Sequence, residues 1–211
     1  YSFGQNELQS SVNDYVAYLM QNRYRVTPSE PEGGDGPDRC LRRVMLTKYF
    51  EILPAKQKDK IQVRISSVMN PDAIPFVGRK ATNNGISDYI EYDPDCLNEG
   101  GVLTLALDGS TGATFYQHHS FASGQNIWIL KPRQERIKDF SPEVALYLKT
   151  TVSRAVTDYS YNLSLTKTRL KNIEIFVPVN EKDEVDAAYI HKVMSRITNI
   201  EYVQTVSESR Y

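Results

Sequence analysis

The sequence predicts an α+β fold: a curved, mostly antiparallel sheet domain with a helical appendage before it and a helix after it. Three observations carry this. Residues 40 to 132 break into short strand-like runs separated by Gly, Pro, Asn and Asp, whereas the segments after residue 141 show apolar residues at helical spacing. Before residue 40 lies an isolated amphipathic stretch followed by a segment with little to bury. A chain of 211 residues with 40% apolar and 24% charged side chains is long enough for one sizeable domain with a core, plus an appendage.

In chain order, "QNELQSSVNDYVAYLMQNRY" (residues 5–24) places Leu8, Val12, Tyr15, Val16 and Leu19 on one helical face. "TPSEPEGGDGPD" (27–38) is rich in Pro, Gly and acid and reads as a mobile linker. These divide the chain into a helical segment 1–26, a linker 27–39, a main domain 40–182 and a C-terminal helical segment 183–211. Strand-like runs follow at "RRVMLTKYFEIL", "KIQVRISSV", "AIPFVGRK", "ISDYIEY", "GVLTLAL", "ATFYQ" and "NIWILKP". Ser141-Pro142-Glu143 has the residues of a helix start, with Val144, Leu148, Val152 and Val156 facing inward. "LSLTKTRLKN" (163–172) is a short basic helix or turn, and "IEIFVPV" (173–179) a strand. A terminal helix over about 184–202 buries Ile190, Val193, Met194 and Ile197.

Composition excludes some classes. No apolar run approaches the roughly eighteen residues a membrane span needs, and no signal peptide is visible, so an intracellular, cytoplasmic protein without membrane contact is expected. Cys40 and Cys96 are far apart and lack metal-ligand neighbours, which predicts free thiols. The start at Tyr1 is that of a processed product or a fragment.

A formal net charge of −1 is not that of a generic nucleic-acid binder, but its distribution is uneven. Residues 56–80 hold six basic and two acidic side chains, net +4, and residues 81–130 none and six, net −6. Residues 131–171 hold nine and four, net +5, and residues 172–211 four and seven, net −3. If the basic segments meet in space they make a phosphate-binding face; otherwise they solvate separate surfaces.

Familiar catalytic patterns are absent. His118 and His119 are adjacent on a strand-like run and point to opposite faces, and His191 has no metal-binding partner at helical spacing. Pro71-Asp72 and Pro94-Asp95 are not followed by the Asp/Glu-X-Lys of a magnesium nuclease. "NPDA" (70–73) and "DPD" (93–95) lack the second proline of an amino-group methyltransferase motif. The turn Asp108-Gly109-Ser110-Thr111-Gly112 has no Lys-Ser/Thr after it and is no P-loop. A chain with no chemistry of its own, and no cofactor, is expected.

The stretch "PFVGRKATNNGISDYIEY" (75–92) holds the sharpest clue. Asn84-Gly85 between two strand-like runs is a strong hairpin signal, because both residues tolerate positive φ. Arg79, Lys80, Thr82, Asn83 and Asn84 at its tip are either a well-made turn or a head that grips phosphates and base edges.

Four segments occur together in order: "YFEI" (49–52), "IPFVGRKATNNGISDYI" (74–90), "GGVLTLALDGSTGATFYQ" (100–117) and "YSYNLSLTKTRLKNIEIFVPV" (159–179). Over residues 40 to 203 the chain resembles the target recognition domain of restriction-modification specificity (S) subunits, of the type I, type IIB and type IIG kind. The resemblance implies a domain that reads half of a split double-stranded DNA target in the major groove and directs a DNA methyltransferase to it. It implies as partners double-stranded DNA and a methyltransferase subunit or domain, with a nuclease subunit and a homodimer as further options. Carried over by position, Arg79, Lys80, Thr82, Asn83 and Asn84 approach DNA, as do Ser110 and Thr111 and the basic turn Lys167, Thr168 and Arg169. The helix from Glu184 to Tyr202 matches the spacer and docking arm. Tyr116, Gln117, Tyr159 and Tyr161 read as packing residues. The competing readings are a protein-interaction or scaffold module without DNA binding and, drawn from the fourteen tyrosines and one tryptophan, a glycan-binding or hydrolytic β-rich domain.

Overall fold

In a computed structural model the described residues are 41–68, 70–157 and 164–195. The expected N-terminal helix and linker, Cys40, Tyr159, Tyr161, and Ile197 with the rest of the terminal helix lie outside them. In chain order the strands and helices are β1 (Leu41–Met45), α1 (Leu46–Tyr49), β2 (Phe50–Pro54), β3 (Ile74–Val77), β4 (Ile86–Ile90) and β5 (Leu97–Asn98). They continue with β6 (Val102–Ala106), β7 (Thr114–Gln117), β8 (Phe121–Ser123) and β9 (Ile127–Pro132). Last come α2 (Pro142–Val156), α3 (Lys167–Lys171), β10 (Glu174–Pro178) and α4 (Ala187–Met194). No helix among the described residues is long and apolar enough to cross a membrane.

A central antiparallel sheet, ordered β2-β9-β6-β7, is covered on both faces. Phe50, Leu103, Leu105 and Leu130 pack with Val144, Leu148 and Val152 of α2. Val102, Ala106, Ile127 and Ile129 pack with Val77, Ile86 and Phe121 of a second sheet, ordered β4-β3-β8-β5. Double coverage explains why all five residues of β6 are buried and why its sequence is a continuous apolar run rather than an alternation. The second sheet is antiparallel except where β3 runs parallel to β8. A two-stranded ribbon of β1 and β10 completes the helical side.

The run 42–53, read as one strand, is two strands separated by α1. Leu46 and Tyr49, three residues apart, are both fully buried, and the Leu46 N–H donates to Ile173 O at 2.8 Å, turning the chain from one sheet to the other. The run 60–68 is not a strand. Ile61 is 93% exposed, and its segment is a 3-10 turn, Lys60–Gln62, capped by the Asp59 carboxylate, followed by a single bridge from Ile65 to Ile90. Of its alternating apolar residues Val63 alone packs on a core, beside Phe76 and Ile90, while Ile61, Ile65 and Val68 are exposed.

Helix α2 starts as the sequence predicts, with Pro142 in its first turn and Val144, Leu148, Val152 and Val156 buried. Ser141 contributes its backbone rather than its hydroxyl: its N–H donates to Asp139 Oδ1 at 2.8 Å. Helix α4 begins at Ala187, where the Asp186 carboxylate accepts the Tyr189 N–H, and buries Ile190, Val193 and Met194. Those three belong to the same core as α2, so the expected boundary at 182/183 falls inside continuous packing. Asp183 reinforces the join, pairing with Lys48 and Arg136 and accepting from the Tyr49 hydroxyl. Burial and then that carboxylate push the Tyr49 hydroxyl up to about 12.

Candidate nucleic-acid interface

Strands β3 and β4 form the expected hairpin, but its loop is wide. The Gly78 N–H donates to Gly85 O at 2.8 Å, closing an eight-residue loop in which Asn83, Asn84 and Gly85 have φ of 52°, 51° and 76°. Asn and Gly are suited to that left-handed region. The loop does not project as one unit; its second half lies against β7. A Cβ on Gly85 would come within 3.1 Å of Phe115 Cδ2. Asn84 Nδ2 donates to Tyr116 O at 2.9 Å and to Gln117 Oε1 at 3.3 Å, and Gln117 Nε2 donates back to Asn84 O at 3.0 Å. Asn83 Nδ2 donates to Ile86 O at 3.1 Å. These bonds tie the Asn84 amide to β7, whereas Asn83 is exposed and gives one bond to Ile86 O. Gln117 is 4% exposed, the packing residue the sequence suggested.

The first half of the loop is different. Arg79, Lys80 and Thr82 are exposed, and Arg79 reaches the β6–β7 turn. Its guanidinium pairs with Asp108 Oδ2 at 2.8 Å, its carbonyl accepts the Ser110 N–H at 3.2 Å, and Asn126 Nδ2 donates to the same Asp108 oxygen at 2.8 Å. Asp108, one of the acids of the net-negative segment 81–130, is thus paired with a residue of the basic hairpin. Half-buried Ser110 and Thr111 sit in this turn, fixed by Gly109 and Gly112 at φ of 67° and 82°. A Cβ on Gly112 would come within 2.9 Å of Val156 Cγ2, so the turn rests on the C-terminal end of α2.

The basic turn forms α3, capped by Thr166, whose Oγ1 accepts the Arg169 N–H. Lys167 Nζ stands 5.2 Å from the ring centroid of Trp128. Trp128 pairs with Leu105, and its neighbour Ile127 with Ala106, the last residue of β6 before the 107–112 turn. Arg79, Ser110, Thr111 and Lys167 therefore gather at one end of the central sheet. Thr168 is exposed beside them, and the Arg169 guanidinium donates to Ser164 O at 2.5 Å, bracing the start of α3.

Sequence reasoning missed Trp128, Lys58, Lys60 and Lys149. The charge count over 56–80 contained Lys58 and Lys60, but nothing in it placed them beside Arg79. Lys149 is 6% exposed on α2, 5.5 Å from the centroid of Phe115, and burial lowers its amine to about 8. Elsewhere, His118 and His119 do not point to opposite faces as expected: they follow the end of β7 with their rings edge-to-face, centroids 4.5 Å apart, and His118 Nδ1 is 3.0 Å from the Tyr116 hydroxyl. Among the described residues no three His, Cys, Asp or Glu are grouped to hold a metal ion.

Comparison with known proteins places the fold. The type II restriction enzyme BgcI specificity subunit S.BcgI of Heyndrickxia coagulans is 29% identical over 153 residues, 72% of this chain and 42% of that protein. The HsdS subunit of Thermoanaerobacter tengcongensis shares the fold with a TM-score of 0.53 at 17% identity, covering 97% of this chain and 48% of that one. The type I restriction-modification S subunit of M. genitalium does so with a TM-score of 0.54 at 11% identity, covering 97% and 52%. The chain thus spans about half the length of these relatives. Residues 50–206 match the model of the type I restriction modification DNA specificity domain, and the chain belongs to that family.

Proposed function

We propose that this chain is a non-catalytic, sequence-specific recognition module for double-stranded DNA, which directs a DNA methyltransferase to its target within a restriction-modification system. The observation that carries the reading is the convergence of Arg79, Ser110, Thr111 and Lys167, from three separate segments, on one end of a doubly covered sheet. A rigid end bearing exposed cations and small hydroxyls can hold phosphates and present a guanidinium to a guanine edge. Lys80, Thr82, Thr168 and Arg169 flank it as further DNA contacts. The module works in the cytoplasm, as one half of a specificity subunit, either beside a second recognition domain or as a homodimer. The segment 183–211 is the arm that docks the methyltransferase, and a nuclease subunit joins through the same assembly.

The test is selection of randomised duplexes at low salt by the purified chain, with Arg79→Ala and Lys167→Ala in parallel. Enrichment of a short motif that Arg79→Ala loses at one base position, at a cost of about 1–3 kcal/mol, supports direct reading. Retention that ignores both salt and sequence refutes it and favours the protein-interaction reading.

A further inference from the structure

Beside the reading end lies a concavity of about 500 Å³, lined by residues from five segments. Lys58, Asp59 and Lys60 come from the turn after β2, Gly78, Arg79 and Lys80 from the hairpin, and Gly109, Gly124 and Gln125 from two other turns. Phe76 forms its floor. Four cations face one carboxylate, and that carboxylate is engaged: Asp59 Oδ1 accepts Gln125 Nε2 at 2.6 Å. The acids that pair with the cations do not line the hollow. Asp93 holds Lys58 at 2.6 Å, Asp88 holds Lys60 at 2.7 Å and Asp108 holds Arg79 at 2.8 Å. The Lys60 side chain remains 57% exposed, anchored on one side and open on the other. A cation so placed adds an anion in front without giving up its partner.

The shape suits a polymer backbone better than a small molecule. Three of the lining residues are glycines, and two are tight against their neighbours: a Cβ on Gly109 would lie 3.0 Å from Arg79 Cβ, and one on Gly78 3.2 Å from Ser87 Oγ. These glycines let the lining segments approach one another closely, which fixes the cations around the hollow. The hollow also shares Arg79 and Gly109 with the reading end, so a duplex lying on one passes over the other.

We propose that this concavity is a phosphate clamp for the DNA backbone, in which Lys60 and Lys80 hold phosphates independently of sequence while the adjoining turns read bases. The clamp rests on the DNA-recognition reading. It divides the interface into a part that fixes register and a part that discriminates.

The experiment measures binding of the whole chain to a selected duplex and to a scrambled one between 50 and 200 mM salt. Lys60→Ala, Lys80→Ala and the double variant are compared with Lys60→Arg, which keeps the charge. Each alanine is expected to weaken both duplexes equally and to flatten the salt dependence by about one phosphate, a difference of about 3.5-fold across that fourfold salt range. Lys60→Arg is expected to restore the slope, and unchanged melting temperatures exclude misfolding. If the unsubstituted chain binds DNA with a salt slope that the double variant keeps, the clamp is refuted and the DNA reading stands. A loss of discrimination in Lys60→Ala would make the hollow a reading site and also refute the clamp. Inorganic phosphate that binds the unsubstituted chain but not the double variant, while the two bind DNA with the same salt slope, would mark a site for a free anion and also refute the clamp. No salt-dependent binding by the unsubstituted chain removes both proposals.

Discussion

Lys149 is a charge in the wrong place for stability, and replacing it should show by how much. It sits on α2, 6% exposed, against the Phe115 ring that supports the hairpin loop. Burial lowers its amine from the usual 10.5 to about 8. At about 1.4 kcal/mol per tenfold change in proton affinity, the buried charge costs on the order of 3 kcal/mol at pH 7. Below pH 8 both folded and unfolded chains carry the proton, and the cost is present in full. Between about 8 and 10.5 the unfolded chain holds the proton and the folded chain releases it, so stability rises with pH. Lys149→Met keeps the apolar stem and removes the charge. Urea denaturation at pH 7 should show a gain of about 1–3 kcal/mol, shrinking toward zero by pH 10.5 as the unsubstituted chain catches up. DNA affinity should not change, because the amine is enclosed. A destabilised variant, or a gain that does not depend on pH, would mean that the ammonium is satisfied where it lies and that the burial argument is wrong.

Asp108→Asn removes the carboxylate that holds Arg79 but keeps an oxygen for Asn126; the exposed pair is worth at most about 1 kcal/mol of stability, while the freed guanidinium should steepen the salt dependence of DNA binding by about one phosphate. Titration with a scrambled duplex at two salt concentrations checks it, and an unchanged slope would show that Arg79 does not face DNA. Asn84→Ala should cost about 1–3 kcal/mol in denaturation midpoints by stripping Gln117 of a buried partner, with base discrimination intact; lost discrimination at full stability would return Asn84 to the reading surface. Gly112→Ala meets both a φ of 82° and a 2.9 Å contact with Val156, so it should lower stability by more than about 1 kcal/mol; a neutral result by calorimetry would show that the turn can move away from α2.

Features set by local chemistry were legible in the sequence. Asn84-Gly85 demanded a turn because few other residues take positive φ, and Ser141-Pro142 with four apolar residues at helical spacing demanded α2. Features set by what lies opposite were not. "LTKY" reads as strand until Leu46 and Tyr49 are seen to bury the same face, and "KIQVRIS" alternates as well as any strand although Val63 alone of its apolar residues packs on a core. Strands β5 and β8, of two and three residues, are too short to carry a period at all. For the site, residue types were readable but pairing was not. The net charge of −6 over residues 81–130 did not show that Asp108 is paired with Arg79 of the basic hairpin.

The hairpin shows how one short loop can serve both fold and function. From Gly78 to Asn83 the side chains are exposed or half-exposed, and their changes should leave the core untouched. From Asn84 onward the loop belongs to the sheet: Asn84 ties it to β7, Gly85 covers Phe115, and Ile86 enters the core between the sheets. Arg79 stands on the free side, yet Asp108 and the Ser110 N–H fix it. A recognition surface needs exposed groups that do not wander, because ordering a long side chain on binding costs about 0.5–1.5 kcal/mol. In the proposed reading, holding Arg79 with a second loop would reduce that cost before DNA arrives, and Asp108 would compete with phosphate for the guanidinium.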